Sequence, residues 1–259
     1  MVSIVIKTLY DVIVLNWLDR RRRGLKMKLV LLPGMDGTGL LFDPFLRELP
    51  QEIKPEIISY SSAEKQTYSD LVDEVRTKLP NEPFILMAES FSGYIAFRLS
   101  LEASIPINKI ILVASFLSSP YPVLGFFIRH LPLRFLFSFV PPKFIIHLFC
   151  FGQNNNDLLT LFRESISKVS ADVLAFRLRQ IFNLAQPKEQ SSIQCLIINA
   201  SNDRLIQKSV SSKIESCFSN TKIEEVEGTH FLAQTNPRKL ANLLSAFIDQ
   251  EIQLCKPTI

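Results

Sequence analysis

Apolar and polar positions alternate along this chain in two different rhythms, and the rhythm changes repeatedly. Short unbroken apolar runs, Met27 to Leu32, Phe84 to Ala88, Lys109 to Ala114 and Gln194 to Asn199, read as strands covered on both faces of a parallel sheet. Two further strands are expected at Glu56 to Tyr60 and near Lys222 to Val226. Between them lie stretches of helical spacing. A helix is expected from about Leu40 to Leu49. Another lies near Asp70 to Leu79, with Leu71, Val72, Val75 and Leu79 on one face, and a third follows Ser90, from Tyr94 to Leu101. The last helix has Asn236 as its N-cap and Pro237 at its first position, with Leu240, Leu243, Leu244, Phe247 and Ile248 on its apolar face. Strands separated by helices imply right-handed crossovers. The expected fold class is therefore α/β, a mostly parallel sheet of about six strands with helices on both faces.

One interval breaks the alternation. Residues 117 to 190 separate the fourth and fifth strands, far too many for a connection in a compact sheet, and are expected to form a helical cap. Nine of the 20 phenylalanines fall within 116 to 151, and no Asp or Glu occurs from Ala103 to Asn156. Short helices broken by Pro120, Pro122, Pro132, Pro141 and Pro142 would lie over an apolar cavity, although most of these rings would simply fill a second small core. The domain division is an extension at 1 to 26, a core at 27 to 116 and 191 to 259, and the cap between.

Charge locates the extension. The chain carries a net charge of +4, but residues 1 to 28 hold seven Lys or Arg against two Asp, so the body is close to −1. That argues against nucleic acid as a partner. Residues 1 to 18 are apolar with a polar stripe of Ser3, Lys7 and Asp11, which makes a poor membrane span and, with Arg20 to Arg23 following, a poor signal peptide. An interfacial helix touching a membrane from the cytoplasm is one reading. A solvated extension, or translation starting at Met27, is the other. Cys150, Cys195, Cys217 and Cys255 are widely spaced and the histidines are only His130, His147 and His230, so neither a metal nor another cofactor is expected.

The chemistry gathers where strands end. Phe84 to Gly93 reads as strand, bend and helix with Ser90 at the bend, flanked two positions away on each side by small residues, Ala88 and Ser92. Ser92 is the weaker nucleophile candidate because its own flank would be the bulky Tyr94. Serine needs a base and a carboxylate to orient that base. Asp203 follows the fifth strand and His230 the sixth, on the same sheet edge as Ser90. Oxyanion donors would be the N–H of Phe91 and, from the glycine-rich loop Pro33 to Gly39, the N–H of Met35, with Asp36 and Thr38 bracing that loop.

From residue 28 to about 249 the chain resembles the α/β-hydrolase superfamily. Its loop Pro33 to Gly39 and its tail Gly228 to Gln234 resemble small bacterial hydrolases and esterases of that group. Ala88, Ser92 and Pro33 depart from the usual pattern. The resemblance implies a serine hydrolase of carboxylic esters with apolar acyl groups, acting through Ser90, His230 and Asp203 on a small-molecule substrate. A thioesterase or acyltransferase on the same residues, and a non-catalytic binding module of the same fold, remain as alternatives.

Overall fold

A computed structural model of the protein describes residues 27–122, 133–134 and 155–254. The amino-terminal extension, His130, His147, Cys150, Cys255 and every phenylalanine of the 116 to 151 stretch except Phe116 lie outside the described residues.

Six strands form one parallel sheet: β1 (Met27–Leu32), β2 (Ile53–Ile57), β3 (Phe84–Glu89), β4 (Ile107–Val113), β5 (Gln194–Ala200) and β6 (Thr221–Val226), in spatial order 2-1-3-4-5-6. The helices are α1 (Asp43–Leu46), α2 (Tyr68–Lys78), α3 (Gly93–Ser100), α4 (Asn156–Ser167), α5 (Ala171–Phe182), α6 (Lys208–Glu215), α7 (Leu232–Thr235) and α8 (Pro237–Leu254). The two side-chain faces of β1, β3, β4 and β5 feed different cores, as a period of two requires. Leu86, Ala88, Ile110 and Leu112 pack with Leu71 and Val75 of α2, Ile95 and Leu99 of α3 and Ile214 of α6. Leu29, Leu31, Met87, Ile111 and Ile198 pack with Phe45 of α1 and with Leu240, Leu244 and Phe247 of α8. Both faces are thereby covered, which explains why the central strands are apolar throughout. Among the described residues no helix is long and apolar enough to cross a membrane.

Two local expectations need correction. The second strand is Ile53–Ile57, three residues earlier than the apolar pattern suggested. It is an edge strand, so Lys54, Pro55 and Glu56 face solvent, and Pro55 is tolerated where no partner needs its missing N–H. The chain beyond it still follows the sheet, with Ile58 N–H bonded to Leu31 and Tyr60 N–H to Gly37. The single helix expected at Leu40 to Leu49 is a 3-10 turn, Leu40–Phe42, followed by the one-turn α1, with Pro44 near its start. At the last helix Asn236 accepts the Leu240 N–H with its backbone carbonyl, but its side-chain amide turns back to the carbonyl of Glu227. Asn236 thus holds the expected N-cap position before Pro237 through its carbonyl, while its side chain secures the loop before the helix.

Candidate active site

The bend at Ser90 follows from how β3 meets α3. Ser90 has φ 50°, in the left-handed region that costs a residue with a Cβ about 1–2 kcal/mol. It opens a 3-10 turn, Ser90–Ser92, that runs into α3. Two groups hold its carbonyl: the Gly93 N–H and the Ser115 hydroxyl, the latter at 2.6 Å. Ser115 follows β4, so the neighbouring strand braces the bend. A Cβ on Gly93 would stand 1.9 Å from Ser115 Oγ. The closest approach at the bend is therefore at Gly93, one residue beyond the flank that sequence spacing singled out.

Ser92, chosen as a small flank, has a polar task. Its hydroxyl is fully buried and donates to the carbonyl of Pro33, while Tyr60 Oη lies 2.5 Å away. With Ser92's one proton used on Pro33, Tyr60 must be the donor to Ser92. Burial pushes the Tyr60 phenol well above its ordinary pKa, so it keeps that proton. Nothing in the local pattern around Ser92 or Tyr60 marks this bridge, because it joins residues from three strands' ends.

Asp203 and His230 are brought together by the loops that follow β5 and β6. Those loops are laced to each other through Ser201 N–H to the Val226 carbonyl, and Asn202 N–H to the Gly228 carbonyl. Asp203 Oδ1 accepts the N–H groups of Leu205 and Ile206 at 2.8 and 2.9 Å, which leaves Oδ2 for His230 Nδ1 at 2.8 Å. His230 Nε2 lies 2.9 Å from Ser90 Oγ. Since Asp203 accepts on both oxygens, Nδ1 carries the imidazole proton and Nε2 is left to accept from the serine hydroxyl. The two side chains are 7 % and 8 % exposed, which strengthens their mutual hydrogen bond. Ser90, Asp203 and His230 thus form one continuous hydrogen-bonded relay.

The glycine-rich loop faces this relay through its neighbour, the Ser90 to Ser92 turn. Gly37 and Gly39 have φ 73° and 77°. Asp36 is buried and accepts from Thr38 N–H and Thr38 Oγ1, the local brace expected for this pair, and also from Ser165 of α4 at 2.7 Å. Met35 packs on Val169, Val173 and Leu174 beside and within α5. The N–H groups of Met35 and Phe91 take no hydrogen-bond acceptor among the described residues.

Sequence reasoning passed over two further groups. Glu89, directly before Ser90, is 4 % exposed, and burial lifts its carboxyl to a pKa of about 7. Gln234 of α7 donates to the Leu41 carbonyl and approaches Glu89. Arg177 of α5 is 1 % exposed and reaches the glycine-rich loop. An acid at the end of a buried strand is a readable signal, whereas an arginine in an amphipathic helix reads as a solvated face.

No protein-family model matches the sequence, and no curated protein sequence matches it. Solved structures do. A hydrolase from Oleispira antarctica superposes with a TM-score of 0.70 at 14% identity, covering 86% of this chain and 91% of its own. A thermophilic esterase from Thermogutta terrifontis gives 0.70 at 13% identity over 86% and 90%. An α/β hydrolase fold protein from Chitinophaga pinensis gives 0.68 at 15% identity over 86% and 90%. Likeness at such identities speaks for architecture, and with the six-stranded parallel sheet it establishes that this chain has the fold of the α/β hydrolases.

Proposed function

We propose that the protein is a serine hydrolase that cleaves carboxylic esters. The observation that carries this reading is the relay from Ser90 Oγ through His230 to Asp203, at 2.9 and 2.8 Å, with the serine held on a left-handed bend at a strand end. Ser90 Oγ attacks the acyl carbonyl carbon as its proton passes to His230 Nε2. Asp203 holds the imidazole in the tautomer that can take that proton and stabilises the imidazolium. The N–H groups of Met35 and Phe91 receive the charge that develops on the carbonyl oxygen. Collapse expels the alcohol, which takes the proton from His230. Water, activated by the same histidine, then releases the acid and restores Ser90. The helices inserted between β4 and β5 form the cap of the site, and the apolar composition of the insertion favours uncharged acyl chains, each buried methylene contributing about 0.8 kcal/mol.

The test is labelling with a fluorophosphonate followed by mass spectrometry, together with turnover of aryl esters and thioesters of increasing chain length. An adduct on Ser90, none on Ser92, and kcat/KM rising from acetate toward medium chains are expected. A folded protein without an adduct on Ser90 and without turnover would make it a binding module. A marked preference for thioesters would move the substrate class.

A further inference from the structure

Arg177 is the largest fully buried side chain among the described residues, and it spends its charge on backbone. One terminal nitrogen, Nη1, donates to the carbonyls of Met35 and Asp36 at 2.9 and 2.8 Å, while Nη2 donates to the carbonyl of Ser61 at 2.7 Å. The guanidinium also lies 5.6 Å from the ring centroid of Tyr60, the residue that bonds Ser92. Gly37 makes room for it: a Cβ there would fall 2.6 Å from Nη1.

Desolvating a guanidinium is costly, and three neutral carbonyls repay it only when the fork is well aligned. A loop that needed mere covering could be packed with aliphatic side chains. What the fork supplies is orientation. It fixes the peptides on either side of Asp36, immediately after the Met35 N–H. Ser92 fixes the same loop at the carbonyl of Pro33, immediately before it. The Met35 amide is thus held between two buried clamps, one from the nucleophile turn and one from the inserted helices. Ser165 adds a second bond from those helices, to the Asp36 carboxylate.

We propose that Arg177 is a positioning residue that sets the oxyanion-binding geometry of the Pro33 to Gly39 loop, so that the inserted helices complete the catalytic centre as well as cover it. The proposal rests on the hydrolase reading above. Arg177 touches neither substrate nor reacting atoms and acts through the Met35 and Asp36 peptides. Its loss should weaken stabilisation of the transition state while leaving ground-state binding in place.

The experiment compares the parent protein with R177Q, R177K and S165A, with R98Q as a surface control, since Arg98 pairs only loosely with Glu189 at 3.5 Å. Folding is checked by thermal melting, Ser90 by fluorophosphonate labelling, and the hole by affinity for an aryl trifluoromethyl ketone, whose addition product carries an oxyanion. In R177Q, kcat, the labelling rate and ketone affinity should fall together by about 10- to 100-fold, with KM changed by less than about twofold. Amides of residues 34 to 39 should exchange faster with deuterium. R177K should fall between R177Q and the parent, S165A should show a smaller loss of the same kind, and R98Q should match the parent. If R177Q does not fold, R177K decides by the same readouts. A folded variant with lower melting temperature but parental kcat and ketone affinity would overturn the proposal and leave the hydrolase reading intact. A parent protein that neither labels at Ser90 nor turns over esters would overturn both.

Discussion

Ser90 Oγ stands 2.9 Å from His230 Nε2, although 140 positions of chain separate the two residues. The contact is made on a strained bend, since Ser90 has φ 50°. Ser90→Ala should abolish fluorophosphonate labelling and lower ester turnover by about 10⁶-fold. Ser90→Gly should lose activity equally, yet unfold at higher urea, being more stable than Ser90→Ala by about 1 kcal/mol because glycine accepts that φ freely. Equal midpoints would mean that the Cβ costs nothing there.

Asp203→Asn keeps an oxygen for the N–H groups of Leu205 and Ile206 and turns an amide toward His230. The imidazole should then carry its proton on Nε2, where it cannot accept from Ser90. Turnover should fall by roughly 10⁴-fold with little change in melting temperature, a smaller loss than that of Ser90→Ala. Asp203→Ala should cost stability as well, since two N–H groups lose their acceptor.

Gly93→Ala should destabilise the protein by about 2 kcal/mol or more, because the new methyl would meet Ser115 Oγ at 1.9 Å and the Phe116 carbonyl at 3.3 Å. Pairing it with Ser115→Gly removes the first clash and should recover part of the loss in a double-mutant cycle by chemical denaturation. Strict additivity of the two substitutions would exclude a direct contact as the cause.

Glu89 should make stability fall as pH rises. Burial raises its pKa in the folded chain to about 7, aided by Asp36 and opposed by His230 and Gln234, against an ordinary value of 4.5. A carboxyl raised in this way binds its proton more tightly when folded, so its contribution is fully present below the unfolded value and is lost as pH rises through about 7. Glu89→Gln, uncharged at every pH, should differ little from the parent at about pH 4 and exceed it by roughly 3 kcal/mol at about pH 8. Urea titrations at the two pH values measure this difference, and a constant gap between them would show that the buried carboxyl does not titrate in this range.

Much of the candidate site is legible in the sequence, and the reason is specific. Ser90, Asp203 and His230 each follow a short apolar run, and a run of that kind marks a strand end from neighbouring residues alone. Right-handed crossovers then bring the ends of parallel strands to one edge, so three separate local signals imply one meeting place. The central strands are legible to within two residues because burial on both faces makes them apolar almost without interruption, as in Leu86, Met87 and Ala88. The edge strand Ile53–Ile57 is harder to read because its outward residues face water and carry no such run.

What the sequence by itself determined was the run of central strands, their parallel arrangement and the three candidate residues at the strand ends, all of which depend on periodicity within a few residues. The tertiary structure decided everything that depends on which surface lies against which. It buried Arg177 by seating α5 on the glycine-rich loop, turned Ser92 from a spacer into a bond to Pro33, and moved the tightest approach to Gly93. An arginine or serine reads the same in a helix pattern whether water or a carbonyl awaits it. Only packing between segments far apart in the chain removes the water and makes the bond obligatory.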